Sequence, residues 1–165
     1  MAIGDKKTFD TTGIQLTGDA CVVIVKTEWN SHVVDKLEEG CISVLSSHHI
    51  PYKVLIVPGA FEIPFAIKNH WQKANDLNCL PSAYIALGCV IKGDTPHFEY
   101  VCNAVTDGIL HLNLQLSVPV IFGVLTVNTQ AQADERIGGE HGHKGEEAAS
   151  TALKMVVLSQ SMPSM

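Results

Sequence analysis

Four stretches of the chain are predominantly apolar: CVVIVKT (Cys21–Thr27), YKVLIVPG (Tyr52–Gly59), AYIALGCVI (Ala83–Ile91) and PVIFGVLTV (Pro119–Val127). They are rich in β-branched residues, and none alternates cleanly between apolar and polar positions. Strands of a parallel sheet read this way, because helices cover both faces and leave no wet side. Between and after them the spacing changes to the helical one. Val34, Leu37, Cys41, Val44 and Leu45 share a face, with Asn30 or Ser31 placed to cap the start. Phe98, Val101, Cys102, Val105, Ile109, Leu112 and Leu116 form the clearest stripe, and Ala148, Ala152, Met155 and Val156 a shorter one. Residues Phe61 to Lys73 are less regular, but Pro64 suits a first helical turn.

Strand and helix therefore alternate through the chain. The pattern predicts an α/β fold, a flavodoxin-like three-layer sandwich with a central four-stranded parallel sheet flanked by helices and joined by right-handed crossovers. A length of 165 residues suits one domain, read as residues 19–160, after a flexible or edge-strand segment at 1–18; SQSMPSM at the end reads as frayed. The hydrophobic fraction of 46% is enough for a core without staples.

The net charge of −6 gives no basic footprint, which argues against nucleic acid as a partner. No apolar run reaches membrane-spanning length and the N-terminus lacks a signal-peptide core, so a cytoplasmic protein with no membrane partner is expected. Five cysteines, without CxxC or zinc-like spacing, read as free thiols of a reducing compartment.

In open parallel sheets, ligands gather beyond the carboxyl ends of the strands. Glu28, Trp29 and Asn30 follow the first apolar run, PGAFEIP with Phe61 and Glu62 the second, and KGDTPHFEY the third. Trp29 and Phe61 read either as hydrophobic staples for the helices behind them or as walls for a flat heterocycle. His97 reads as a helix-start histidine or as a general acid/base, since an imidazole titrates near ~6.5. The Gly93-Asp94-Thr95 turn opens a helix beginning near Phe98 and suits an anion, although the Asp94 charge opposes one. ADERIGGEHGHKGEEAA carries Arg136 and Lys144 around glycines and admits three readings: a solvated connection, a metal site at His141-x-His143, or phosphate capture by Arg136. The metal reading lacks a third ligand at suitable spacing. Phe122 lies inside the fourth run, away from the strand ends, where core packing is the simplest reading.

VPGAFEIP, ALGCVIKGDTPHFEYVCNAVTDGI, PVIFGVLTVNTQAQADERIGG and GHKGEEAA together resemble the signature blocks of the lumazine synthase family, in family order from about Cys21 to Met155. The resemblance implies a transferase of riboflavin biosynthesis. It would join 5-amino-6-(D-ribitylamino)uracil to 3,4-dihydroxy-2-butanone 4-phosphate through a Schiff base, with loss of phosphate and water and with neither metal nor organic cofactor. By position it implies proton transfer by His97 and pyrimidine stacking by Trp29, with Asn30 as a further substrate-binding residue beside it. Ala60, Phe61, Glu62, Cys89, Val90 and Ile91 would line the pyrimidine and ribityl site. Asp94, Thr95 and Arg136 would bind the phosphate, with Lys144 nearby, and Phe122 would be donated by a neighbouring subunit of a homopentamer. The family usually carries Arg-Phe-Asn where Glu28-Trp29-Asn30 stands, and Arg at Lys92. A tryptophan offers a wider stacking face, which suggests riboflavin binding. The rival expectation is a non-catalytic riboflavin-binding or storage module on the same fold.

Overall fold

The computed structural model describes residues 10–14, 16 and 20–162. Four strands, β1 (Val22–Thr27), β2 (Tyr52–Val57), β3 (Ala83–Ile91) and β4 (Val120–Val127), form one sheet in the order β2-β1-β3-β4. Every neighbouring pair is parallel, with Val25 opposite both Leu55 and Ala86, and Ala86 opposite Phe122. Parallel strands need long crossovers, and helices supply them. These are α1 (Ser31–Ser47), α2 (Ile63–Asp76) and α3 (His97–Gln115).

Side chains of a strand alternate between faces, so each central strand feeds two cores. Val22, Ile24, Ile85 and Leu87 pack with Leu37, Cys41 and Leu45 of α1 and with Ala149, Ala152 and Leu153 of the last helix, α5 (Lys144–Ser161). Val23, Val25, Tyr84 and Ala86 pack with Ile63 and Ile67 of α2 and Val105, Ile109 and Leu112 of α3. Each fully buried Ile or Leu among them contributes about 1.5–3 kcal/mol of transfer free energy. The result is the expected flavodoxin-like three-layer sandwich. Tyr84, fully buried, keeps its hydroxyl satisfied by a 2.8 Å hydrogen bond to His70 Nδ1.

The helices α1 and α5 approach unusually closely, and glycines permit it. A methyl group at Gly145 would overlap the Leu37 carbonyl, and one at Gly40 would overlap the His143 ring. Cys41 Sγ reaches the Gly145 carbonyl at 3.0 Å across the same contact.

Several expectations need correction. Between β4 and α5 the chain forms a short helix α4 (Gln130–Asp134) and an antiparallel hairpin, β5 (Ile137–Gly139) and β6 (Gly142–His143), rather than a plain connection. The α4 start is capped by Thr129, whose hydroxyl accepts from Gln132 N at 3.3 Å. Of the expected α5 stripe, Ala148, Ala152 and Val156 are buried, whereas Met155 is 39% exposed and Leu153 is buried in addition. Ser159, Gln160 and Ser161 remain helical instead of frayed. The flexible or edge-strand segment expected at 1–18 lies largely outside the described residues; of those described there, Ile14 and Leu16 pack against the α1/α5 core without joining the sheet.

Candidate functional site

The strand order reverses between β1 and β3, and there the chain leaves the sheet in opposite directions. A cleft opens at that point, as expected at a topological switch. Its volume is about 560 Å³. Trp29 and Asn30 come from the end of β1, and Ala60, Phe61 and Glu62 from a single 3₁₀ turn after β2. Cys89, Val90 and Ile91 form the end of β3, and Thr95 and His97 follow it. Ten of the residues singled out from sequence thus face one cavity.

Backbone bonds fix the walls. Glu28 N donates to Val57 O at 2.9 Å and Trp29 N to Pro58 O at 3.2 Å, tying the turn after β1 to the end of β2. Asn30 takes the left-handed conformation, φ 57° and ψ 40°. It occupies the cap position of α1, but its side chain makes no cap bond. Instead Nδ2 donates to the Cys89 carbonyl at 2.8 Å. Capping is therefore not what the Asn30 side chain does, which corrects the sequence expectation.

Trp29 is 73% exposed and Phe61 62% exposed in the protomer, so neither is a staple beneath a helix. Both line the cleft. His97 is the first residue of α3, one position earlier than expected, and is exposed. Its ring makes no hydrogen bond among the described residues, so it is uncommitted. The first N–H groups of a helix lack intrahelical acceptors and favour anions, and Thr95 lines the cleft just before them. Lys92 is held at 3.4 Å from Glu99 Oε1 and 5.9 Å from the centre of the Phe98 ring. Burial pushes the Cys89 thiol up to about 11, with Asp134 adding to it, which disfavours the reactive thiolate at neutral pH.

Four expected site residues do not line this cleft. Asp94 sits on the same turn as Thr95 but faces solvent. Phe122 is partly buried against the α2/α3 core. Arg136 and Lys144 flank the β5–β6 hairpin and meet at Glu147. The Arg136 guanidinium makes two bonds to that carboxylate, at 2.9 and 2.8 Å, and also donates to the His141 carbonyl. Lys144 Nζ lies 3.6 Å from Glu147 Oε2. Burial holds the Lys144 ammonium below its ordinary range; Glu147 pulls it back up and Arg136 pushes it further down. Among the described residues no group of three or more His, Cys, Asp or Glu side chains is placed to hold a metal. His141 instead contacts Glu135 at 3.2 Å.

Glu147 escapes a reading of the sequence. Its signal is local: it stands three residues after Lys144, one turn away on a helix. Phe98 and Val101 also line the cleft, although their spacing points to the core. Val101 lies four residues after His97, and that separation puts the two on one face of α3.

Comparison with known proteins agrees with this layout. Residues 19–160 match the model of the family described as 6,7-dimethyl-8-ribityllumazine synthase. A 6,7-dimethyl-8-ribityllumazine synthase of Parabacteroides distasonis is 43% identical over 154 residues, covering 92% of this chain and 93% of its own length. One from Porphyromonas gingivalis is 44% identical over 153 residues, covering 91% and 92%. One from Cytophaga hutchinsonii is 48% identical over 139 residues, covering 81% and 82%. With its blocks in order, its sheet topology and its strand-end cleft, the chain belongs to the 6,7-dimethyl-8-ribityllumazine synthase family.

Proposed function

We propose that the protein is a transferase of riboflavin biosynthesis. It condenses 5-amino-6-(D-ribitylamino)uracil with 3,4-dihydroxy-2-butanone 4-phosphate to 6,7-dimethyl-8-ribityllumazine, releasing phosphate and water. The observation that carries the reading is the meeting of an uncommitted imidazole, two exposed aromatic side chains and a helix start around one cleft. Family membership disfavours the non-catalytic storage module.

Two reactants must be held together, so orientation is a large part of the rate. Trp29 and Phe61 stack the pyrimidine, while Ala60, Glu62, Cys89, Val90 and Ile91 surround the ring and ribityl chain. Asn30 lies beside them. The 5-amino group attacks the ketone to give a Schiff base. His97 relays the protons that imine formation, phosphate loss and ring closure require. Thr95 and the first amides of α3 receive the phosphate end, with the Asp94 side chain turned to solvent.

Phe122, Arg136 and Lys144 lie away from the cleft of their own chain. If they act on substrate, they act in the cleft of a neighbour. The protein is then a homo-oligomer, a pentamer by its family resemblance, with sites between subunits. Tyr100, Leu110 and Leu114 give α3 an exposed apolar flank that such a contact would cover. Arg136 and Lys144 would complete the phosphate site from across that contact. The free cysteines and the lack, among the described residues, of any helix fit to cross a membrane support a cytoplasmic setting. Trp29 also suits the wider ring of riboflavin.

Mixing both substrates with the protein and following lumazine absorbance and fluorescence tests the activity; no lumazine signal overturns it. Subunit exchange tests the shared site. His97→Ala and Arg136→Ala proteins are each impaired, whereas hybrid assemblies regain activity, because some clefts then contain both native residues. Hybrids no better than the two parents exclude a site shared in this way.

A further inference from the structure

We propose that Asn30 is a positioning residue that aims the Trp29 indole by completing the hydrogen bonding of β3. The inference rests on the reading above, in which Trp29 stacks the pyrimidine. Its starting point is the register of the sheet. Tyr84 N donates to Pro119 O, so even-numbered residues of β3 turn their peptide groups toward β4 and odd-numbered ones toward β1. The ladder between β1 and β3 ends at the pair Lys26 and Leu87. The Cys89 carbonyl, two residues on, still faces the β1 side but has no strand there to bond. Asn30 Nδ2 takes that place at 2.8 Å.

The left-handed backbone of Asn30 makes this reach possible, and asparagine tolerates that conformation better than most residues with a Cβ. The preceding peptide is held on its other sides. Trp29 N donates to Pro58 O at 3.2 Å, and Thr27 Oγ1 donates to Trp29 O at 3.1 Å. The indole itself is too exposed for packing to hold it. Its direction is therefore set by its backbone, and among the described residues the Asn30 amide is the side-chain hydrogen bond that links that turn to the β3 wall. Because the bond joins two walls of the cleft, it also fixes the gap between the indole and the end of β3.

Trp29 and Trp71 are the only tryptophans in the chain. A Trp71→Phe background leaves the Trp29 indole as sole reporter, and Trp71 lies away from the cleft in the α2/α3 core. In that background, Asn30→Asp sets a carboxylate oxygen against the Cys89 carbonyl. Asn30→Gly keeps the left-handed backbone and removes the donor. Both variants should show faster decay of Trp29 emission anisotropy without ligand. In steady state, KM for the aminopyrimidine should rise about five- to tenfold, the size expected for one lost hydrogen bond, while KM for the butanone phosphate stays at the parent value. A higher KM with unchanged indole mobility makes Asn30 a direct ligand and overturns the proposal. Unchanged mobility and unchanged KM overturn it as well, and so does misfolding of both variants, which would show a role in the whole fold. Faster decay in a protein whose parent forms no lumazine would leave the positioning intact and reject the enzymatic reading instead.

Discussion

The cleft and the Arg136–Lys144–Glu147 cluster hold reactive groups in opposite ways. In the cleft, Trp29, Phe61 and His97 are exposed and make no side-chain bonds among the described residues; their places come from main-chain hydrogen bonds and helix starts. In the cluster, two cations are partly buried and share one carboxylate. The cleft side chains are left free at the tip and fixed at the root, as suits the flat ligand proposed for them. The two cations proposed to meet an anion are held beside each other by the counter-charge of Glu147. A carboxylate between two cations lowers their mutual repulsion and holds the planar guanidinium in one orientation.

Breaking each region should therefore produce a different signature. The largest effect is expected from His97→Ala, which should lower kcat about 10²–10⁴-fold with no loss of thermal stability, because the ring is exposed and unbonded. Stopped-flow or steady-state lumazine formation, run beside thermal melts, checks both halves. Glu147→Ala should instead reduce stability by about 3 kcal/mol, since it strands two partly buried cations. Denaturant unfolding reads that loss, and a raised KM for the butanone phosphate should accompany it. Trp29→Phe should weaken riboflavin binding by about two- to tenfold, the range of a stacking contact, as followed by quenching of flavin fluorescence. Equal affinity would remove Trp29 from flavin recognition.

The smallest effect concerns Lys144. Its folded value is depressed, chiefly by burial. Between that value and the ordinary one near ~10.4 the unfolded chain binds more protons than the folded one, so stability gains as pH rises through this window. Below the folded value both states are protonated and the penalty of the buried charge is constant. Lys144→Met should flatten this segment of the stability–pH curve, as measured by denaturant midpoints at stepped alkaline pH.

Most of the sheet and the cleft could be read from the amino acids. Parallel strands with two covered faces leave continuous apolar runs, and ligands sit where such strands end, so Trp29, Phe61 and His97 fell into place together. The hairpin Ile137–Gly139 with Gly142–His143 and the five-residue helix Gln130–Asp134 were not legible. Elements that short contain less than two turns or two alternations, and periodicity has nothing to count. Glu147 was hidden for another reason: it is one of two adjacent acids at a helix start, where acids are common for electrostatic reasons. Asn30 was legible as a helix entry but not as a bridge, because the carbonyl it serves lies 59 positions away in the chain.

The tight crossing at Gly145 has a consequence for natural variation in this protein. A single added carbon there would push α5 off α1, and the first turn of α5 is the platform on which Lys144 and Glu147 stand. A wholly apolar, seemingly mild replacement at position 145 would thus tilt an ionic arrangement it never touches. Sequence drift at this crossing is confined by steric exclusion to glycine, and a loss of phosphate affinity traced to it would have no electrostatic cause of its own.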